Sequence, residues 1–276
     1  MTVTKIERMD PRSGIAGRLK FTVAGFSSRG AGRTHNEDAW YISPDADVMI
    51  VADGVGGHDY GEVASRLAIK QFVQRVRLSR DLFLKFGQNP DNSTNEAIGI
   101  VGCIKEALRV ANDIVVALGS GNPSGRPGTT IVLSVRVGRT LFVASVGDSR
   151  VYRLRAGKLE QLTVDDSWVE LLVTSGSITR EEARTHPRRN LILLALGQDD
   201  FEAEAEDVSL VRMAPGDRFL LSSDGLHDAL ASDVIANAAA APTPPADLAV
   251  DLVEQAVEAG SKDDVTCIVM DVAAVS

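Results

Sequence analysis

The chain has 276 residues, 44% hydrophobic and 24% charged, a balance that predicts a packed core and fits one large α/β sandwich rather than a disordered chain. With 38 acidic against 29 basic residues the formal net charge is −9, which argues against nonspecific nucleic-acid binding because that needs a basic surface. Cys103 and Cys267 lie far apart and give no disulfide framework, and no apolar leader or run of about 18 apolar residues is found, so the expectation is a soluble cytoplasmic protein without membrane partners.

Residues 1–19 read as a polar lead-in and 20–276 as one domain. Strand patterns occupy 20–27, 39–43 and 47–52. From Tyr60 to about Phe86, the residues Val63, Leu67, Ala68, Phe72, Val73 and Val76 recur at helical spacing. A second helical stretch runs from about Asn95 to Leu118, and Gly119–Gly128 is a loop by composition. Strands follow at 129–137, 140–146 and 150–155, with Ala156-Gly157 as a hairpin turn. Short helices and loops fill 166–187, and strands return at 206–213 and 217–222. The Ala/Pro stretch 237–245 reads as a loop or helix boundary. A helix over about 245–259 and a strand at 264–272 complete the order. Strands joined by short turns favour antiparallel sheets. No heptad or exposed apolar stripe stands out, so a monomer is expected.

Four aspartates, Asp53, Asp148, Asp224 and Asp263, each stand next to a short apolar strand-like run, beside glycine or a polar turn. Glu37 and Asp38 add two more acids. An unpaired charge near a core is costly, so several such residues suggest strand ends converging on a cation. Oxygen ligands without cysteine or clustered histidine point to Mg²⁺ or Mn²⁺. Arg33 offers a planar fork suited to phosphate. Each feature also has a plain structural alternative. Asp53-Gly54 could be a hairpin turn, Arg33–Asp38 a solvated charged loop, and Asp148 a turn cap or a partner of Arg150. Asp263 and Asp264 point to opposite sides of an extended segment; Asp263 is the expected ligand and Asp264 a supporting or turn residue. Cys103 and Arg109 have the C-x5-R spacing of cysteine-dependent phosphatases, but the residues between them contain no glycine and fit a helix interior. Of the four histidines, His58 alone sits beside the glycine turn.

Taken in order, these motifs resemble the PPM family of metal-dependent serine/threonine protein phosphatases (type 2C), in its bacterial branch. The matching stretches are RTHNEDA from Arg33, DGVGGHDYGEVAS from Asp53, GTT from Gly128, VGDSR from Val146, SDGLHD from Ser223 and DDVT from Asp263. The resemblance implies an α+β fold, a four-layer α-β-β-α sandwich of two antiparallel sheets flanked by helices, with a flap region at about 165–190. It implies that Asp53 would bridge two metals and that the Gly54 carbonyl would bind the second. Asp224 and Asp263 would complete the first metal's shell, and Glu37 and Asp38 would hold metal-bound waters or contact the second metal. Asp148 with Asp224 matches a third-metal site, and Arg33 would grip the substrate phosphate. The implied activity is hydrolysis of phosphoserine and phosphothreonine in proteins by direct attack of a metal-bridging hydroxide. Two or three Mn²⁺ or Mg²⁺ ions would serve as cofactors, and a Ser/Thr kinase would act in opposition. Val55 stands where eukaryotic relatives carry a histidine, which leaves His58 or a metal-bound water to protonate the leaving group. Asp166, Leu193, Leu194 and Asp264 depart from the family's usual residues. The alternative is a non-catalytic module that binds phosphoproteins on the same fold.

Overall fold

The computed structural model describes residues 7–8, 11–55, 60–88, 94–120, 126–203 and 208–275. The chain begins with strands β1 (Glu7–Arg8), β2 (Arg12–Ala16), β3 (Leu19–Ser28), β4 (Asp38–Ile42) and β5 (Val48–Val55). Helices α1 (Gly61–Leu78), α2 (Arg80–Gln88) and α3 (Thr94–Gly119) follow. Next come β6 (Gly128–Thr129), β7 (Ile131–Val137), β8 (Thr140–Val146), β9 (Arg150–Arg155) and β10 (Lys158–Gln161). Two short helices, α4 (Trp168–Thr174) and α5 (Arg180–Arg184), precede β11 (Val208–Arg212) and β12 (Arg218–Ser222). Helices α6 (Asp224–Ala229), α7 (Ser232–Ala240) and α8 (Pro245–Glu258) lead to β13 (Val265–Ala274).

One sheet runs β1-β3-β13-β12-β9-β10, with β2 also on β3; the other runs β11-β8-β7-β5-β4, with β6 on β5. The pairings within both are antiparallel. Both sheets are covered on two faces, which explains why strands such as Val48–Ala52 read as unbroken apolar runs. Alternate side chains split between two cores. Met49 and Val51 face Phe21, Phe219 and Met270 between the sheets, whereas Ile50 joins Leu133 and Phe142 under α1 and α3. A third cluster seats Leu248, Leu252 and Val253 of α8 on Phe26, Leu220 and Val269. These clusters make the four expected layers, helices outside two sheets.

Two local expectations change. The helix read over 60–86 is broken at Ser79, whose N–H bonds the Val76 carbonyl, so α1 and α2 are separate. Residues 12–16 of the polar lead-in form β2, an edge strand registered on β3 with Arg12 opposite Val23; backbone pairing holds it, since only alternate residues are even partly buried. The Ala/Pro stretch 237–245 holds the expected helix boundary: α7 ends at Ala240, with Ile235 and Ala239 turned into the third core, and α8 begins at Pro245. Ala156 and Gly157 have φ of 50° and 79°, the left-handed pair of the expected hairpin turn. No helix among the described residues is long and apolar enough to cross a membrane.

Candidate active site

Antiparallel pairing gathers the acidic strand ends at one end of the sandwich. Asp38 opens β4 directly opposite Asp53, near the end of β5. Asp224 begins α6 immediately after β12, Asp263 and Asp264 lead into β13, and Asp148 turns the chain between β8 and β9. Gly54 is required here by contact: a Cβ on it would stand 2.3 Å from the backbone of Gly61, where α1 begins. His58 lies outside the described residues.

Arg33 is the cation of the cluster. Its Nη2 lies 2.6 Å from Asp263 Oδ1, and its Nη1 lies 2.6 Å from Glu37 Oε2 and 3.4 Å from Asp264 Oδ2. Burial disfavours the charge on Arg33, yet Asp263, Asp264, Glu37 and Asp53 outweigh it and raise its pKa. Asp264 acts as a brace. Its Oδ1 accepts from the Gly30 amide and its Oδ2 from the Glu37 amide, both at 2.8 Å, which pins the Arg33–Asp38 loop onto the start of β13. Asp263 is more exposed and accepts from the Asp264 amide at 2.7 Å. Both acids therefore reach Arg33, with Asp264 in the supporting role.

The other carboxylates are buried. Asp38 Oδ2 accepts from Ser223 Oγ at 2.7 Å and from Thr266 Oγ1 at 2.6 Å. Asp148 does not pair with Arg150, which grips Asp165 instead, its Nε to Oδ1 at 2.9 Å. One oxygen each of Asp38, Asp148 and Asp224 is buried without a hydrogen-bond partner, an arrangement that costs free energy unless something positive answers it. Burial first, and mutual repulsion second, hold Asp38, Asp53 and Asp148 well above the ordinary carboxylate range. The same causes push Asp224, within hydrogen-bonding reach of Asp53, up to about 7. Oxygen donors with orphaned lone pairs and raised proton affinity fit a hard divalent cation. Among the described residues no three His, Cys, Asp or Glu side chains are already drawn into a metal-holding group; Asp263 and Glu37 are turned onto Arg33.

The partners of Asp38 escaped the sequence reading, although Ser223 and Thr266 belong to the SDGLHD and DDVT stretches it singled out. Cys103 and Arg109 lie within α3, and Arg109 pairs with Glu106 and Asp113 along the helix, so the cysteine-phosphatase spacing is a coincidence of helix composition.

The family model for protein phosphatase 2C matches residues 26–256. The chain is similar to the serine/threonine protein phosphatase PstP of Mycobacterium tuberculosis, with 36% identity over 255 residues that cover 92% of this chain and 45% of that protein; it thus spans about half the length of that relative. It is also similar to the protein phosphatase PhpP of Streptococcus pneumoniae, with 32% identity over 240 residues, covering 86% of this chain and 92% of that one. The crystal structure of the catalytic domain of PstP in complex with two manganese ions shares the fold, with a TM-score of 0.76 at 34% identity over 92% of this chain and 99% of that chain. By the match to the family model and by these relatives, this chain belongs to the protein phosphatase 2C family.

Proposed function

We propose that the chain is a metal-dependent protein serine/threonine phosphatase that hydrolyses phosphoserine and phosphothreonine in proteins. The observation that carries this reading is Arg33 paired with Asp263, Asp264 and Glu37 beside Asp38, Asp148 and Asp224, each of which keeps a buried oxygen with no partner. Asp53, the Gly54 carbonyl, Asp224 and Asp263 would hold two Mn²⁺ or Mg²⁺ ions, with Glu37 and Asp38 beside them and Asp148 available for a third. Such ions supply Lewis acidity and lower the pKa of a water.

The chain's own groups then do three things. Arg33 leaves its acidic partners to bind two phosphoryl oxygens in its planar fork, which offsets the charge that builds there. Asp38 is kept in one orientation by Ser223 and Thr266, so its free oxygen faces the cluster. Asp264 holds the loop that carries Arg33. No cysteine is equipped as a nucleophile, since burial pushes the Cys267 thiol up to about 12 and Cys103 sits in α3. His58 is the proposed proton donor to the leaving alkoxide. On this reading the protein works in the cytoplasm as a monomer, opposite a Ser/Thr kinase, with 20–276 as the catalytic domain and about 165–190 as its flap.

The test is hydrolysis of para-nitrophenyl phosphate and a phosphothreonine peptide with Mn²⁺, with Mg²⁺ and with EDTA, alongside Asp53→Asn. Turnover should need the metal and should fall by about three orders of magnitude or more in the variant, the scale of losing a group central to transition-state stabilisation. Folded protein that turns over neither substrate with either metal would favour the non-catalytic phosphoprotein-binding module.

A further inference from the structure

The turn that carries Asp148 is held from outside itself. Gly147 has φ of 101°, and a Cβ there would stand 2.7 Å from Thr130 Cγ2, so the turn admits only glycine and has no side chain of its own to anchor that position. Asp148 Oδ1 has no hydrogen-bond partner, so the backbone decides where this carboxylate stands. Two adjacent acids at the entry to the flap hold this turn, Asp165 through the Arg150 side chain and Asp166 through the Gly147 backbone. Asp165 takes Arg150, with Nε at 2.9 Å from Oδ1 and Nη2 at 2.5 Å from Oδ2. Asp166 takes Gly147 twice: its Oδ2 accepts from the Gly147 amide at 2.9 Å, and its own amide donates to the Gly147 carbonyl at 2.9 Å. The Asp166 carbonyl in turn accepts from the Leu193 amide at 2.7 Å, which ties the chain just beyond the flap back to the same turn.

We propose that Asp166 is a positioning residue: through its two hydrogen bonds to Gly147 it sets the Asp148 carboxylate and couples that carboxylate to the base of the flap. The inference rests on the phosphatase reading for its kinetic consequence, but not for its structural one. The residue type suits the contact: an ionised carboxylate oxygen only accepts, and a backbone N–H points at it. The link continues inward. Ser149 Oγ lies 2.8 Å from Thr130 Oγ1, which accepts from the Asp53 amide at 3.1 Å, so a shift of this turn reaches the residue at the centre of the cluster.

Asp166→Ala removes the acceptor, whereas Asp166→Asn keeps an oxygen able to take the Gly147 N–H. Turnover of the phosphothreonine peptide should fall about tenfold or more in the alanine variant, with a raised Mn²⁺ concentration for half-activity. The asparagine variant should restore most of it. In an Asp148→Asn background the alanine change should cost much less, because its route of action is already gone. Amide hydrogen exchange at Gly147 gives a readout independent of activity: it should speed up in Asp166→Ala and stay slow in Asp166→Asn. Wild-type kinetics in the alanine variant, no rescue by asparagine, or an equal cost in both backgrounds would overturn the proposal. If the wild-type chain turns over no substrate, the phosphatase reading fails by itself, and unchanged Gly147 exchange in Asp166→Ala would still overturn the clamp.

Discussion

Asp38 keeps a carboxylate in the core because two hydroxyls face it. Ser223 and Thr266 each donate to Oδ2 and leave Oδ1 free, so the pair sets a direction as well as offsetting burial. Replacing Thr266 by valine preserves shape and deletes one donor. The expected result is a loss of about tenfold in kcat or in metal affinity, the usual scale for a group that orients a ligand. Steady-state kinetics across a Mn²⁺ titration would show it, and unchanged parameters would remove Thr266 from this role. At this scale the sequence was informative about one class of residue. Asp53, Asp148, Asp224 and Asp263 show themselves because an apolar run beside an acid is a local pattern. Asp264 could be read only as a supporting or turn residue; what it supports was hidden, because its partners Gly30 and Glu37 lie at the far end of the numbering.

Helix α3 does more than cover a sheet. Its Asn112 is buried, accepts from the Gly197 amide at 2.7 Å and donates to the Gln198 carbonyl at 3.0 Å. The same turn is bonded to Thr129 through Leu196, so the segment Leu196–Gln198 is tied to both the helix and the strand beside Asp53. Asn112→Ala would leave the Gly197 amide unanswered in the interior and should cost about 1–3 kcal/mol, read as a lowered urea midpoint. A midpoint unchanged within error would show that the tie carries no weight. Element order was largely legible because strand and helix periodicities are local. The break between α1 and α2 was not, because Phe83 and Phe86 continue the apolar helical spacing from Val76 past Ser79. Strand β2 was hidden as well: it pairs by backbone, and its exposed Ile15 makes no apolar stripe.

For the whole molecule, stability should depend on pH through groups shut away from solvent. His227 is buried, its Nδ1 lacks a partner, and burial, then Arg150 and Arg184, push its pKa well below the ordinary histidine value of 6.5. An unfolded chain takes up that proton near 6.5 and the folded one does not. Its contribution is therefore full above about 6.5 and shrinks as pH falls below it. The buried acids, whose pKa values are raised, act in the opposite sense over part of this range. The difference between the native chain and His227→Gln thus carries the test: urea stability followed from pH 7 to pH 5 should fall more steeply in the native chain. Parallel curves would show that His227 is protonated equally in both states. Strand β3 pairs along its whole length with β13, Leu19 opposite Ala274 and Ser28 opposite Val265, and this has a consequence for synthesis. Phe21, Val23 and Phe26 leave the ribosome while nearly all of the chain, including the strand that will hydrogen-bond them, is still untranslated. The sheet of β4, β5, β7 and β8 can close early on its neighbouring segments, but the β3 edge facing β13 stays open until β13 has been translated. Long-range pairing of this kind is slow, and an apolar edge left waiting is where nascent chains stick to one another or to a chaperone.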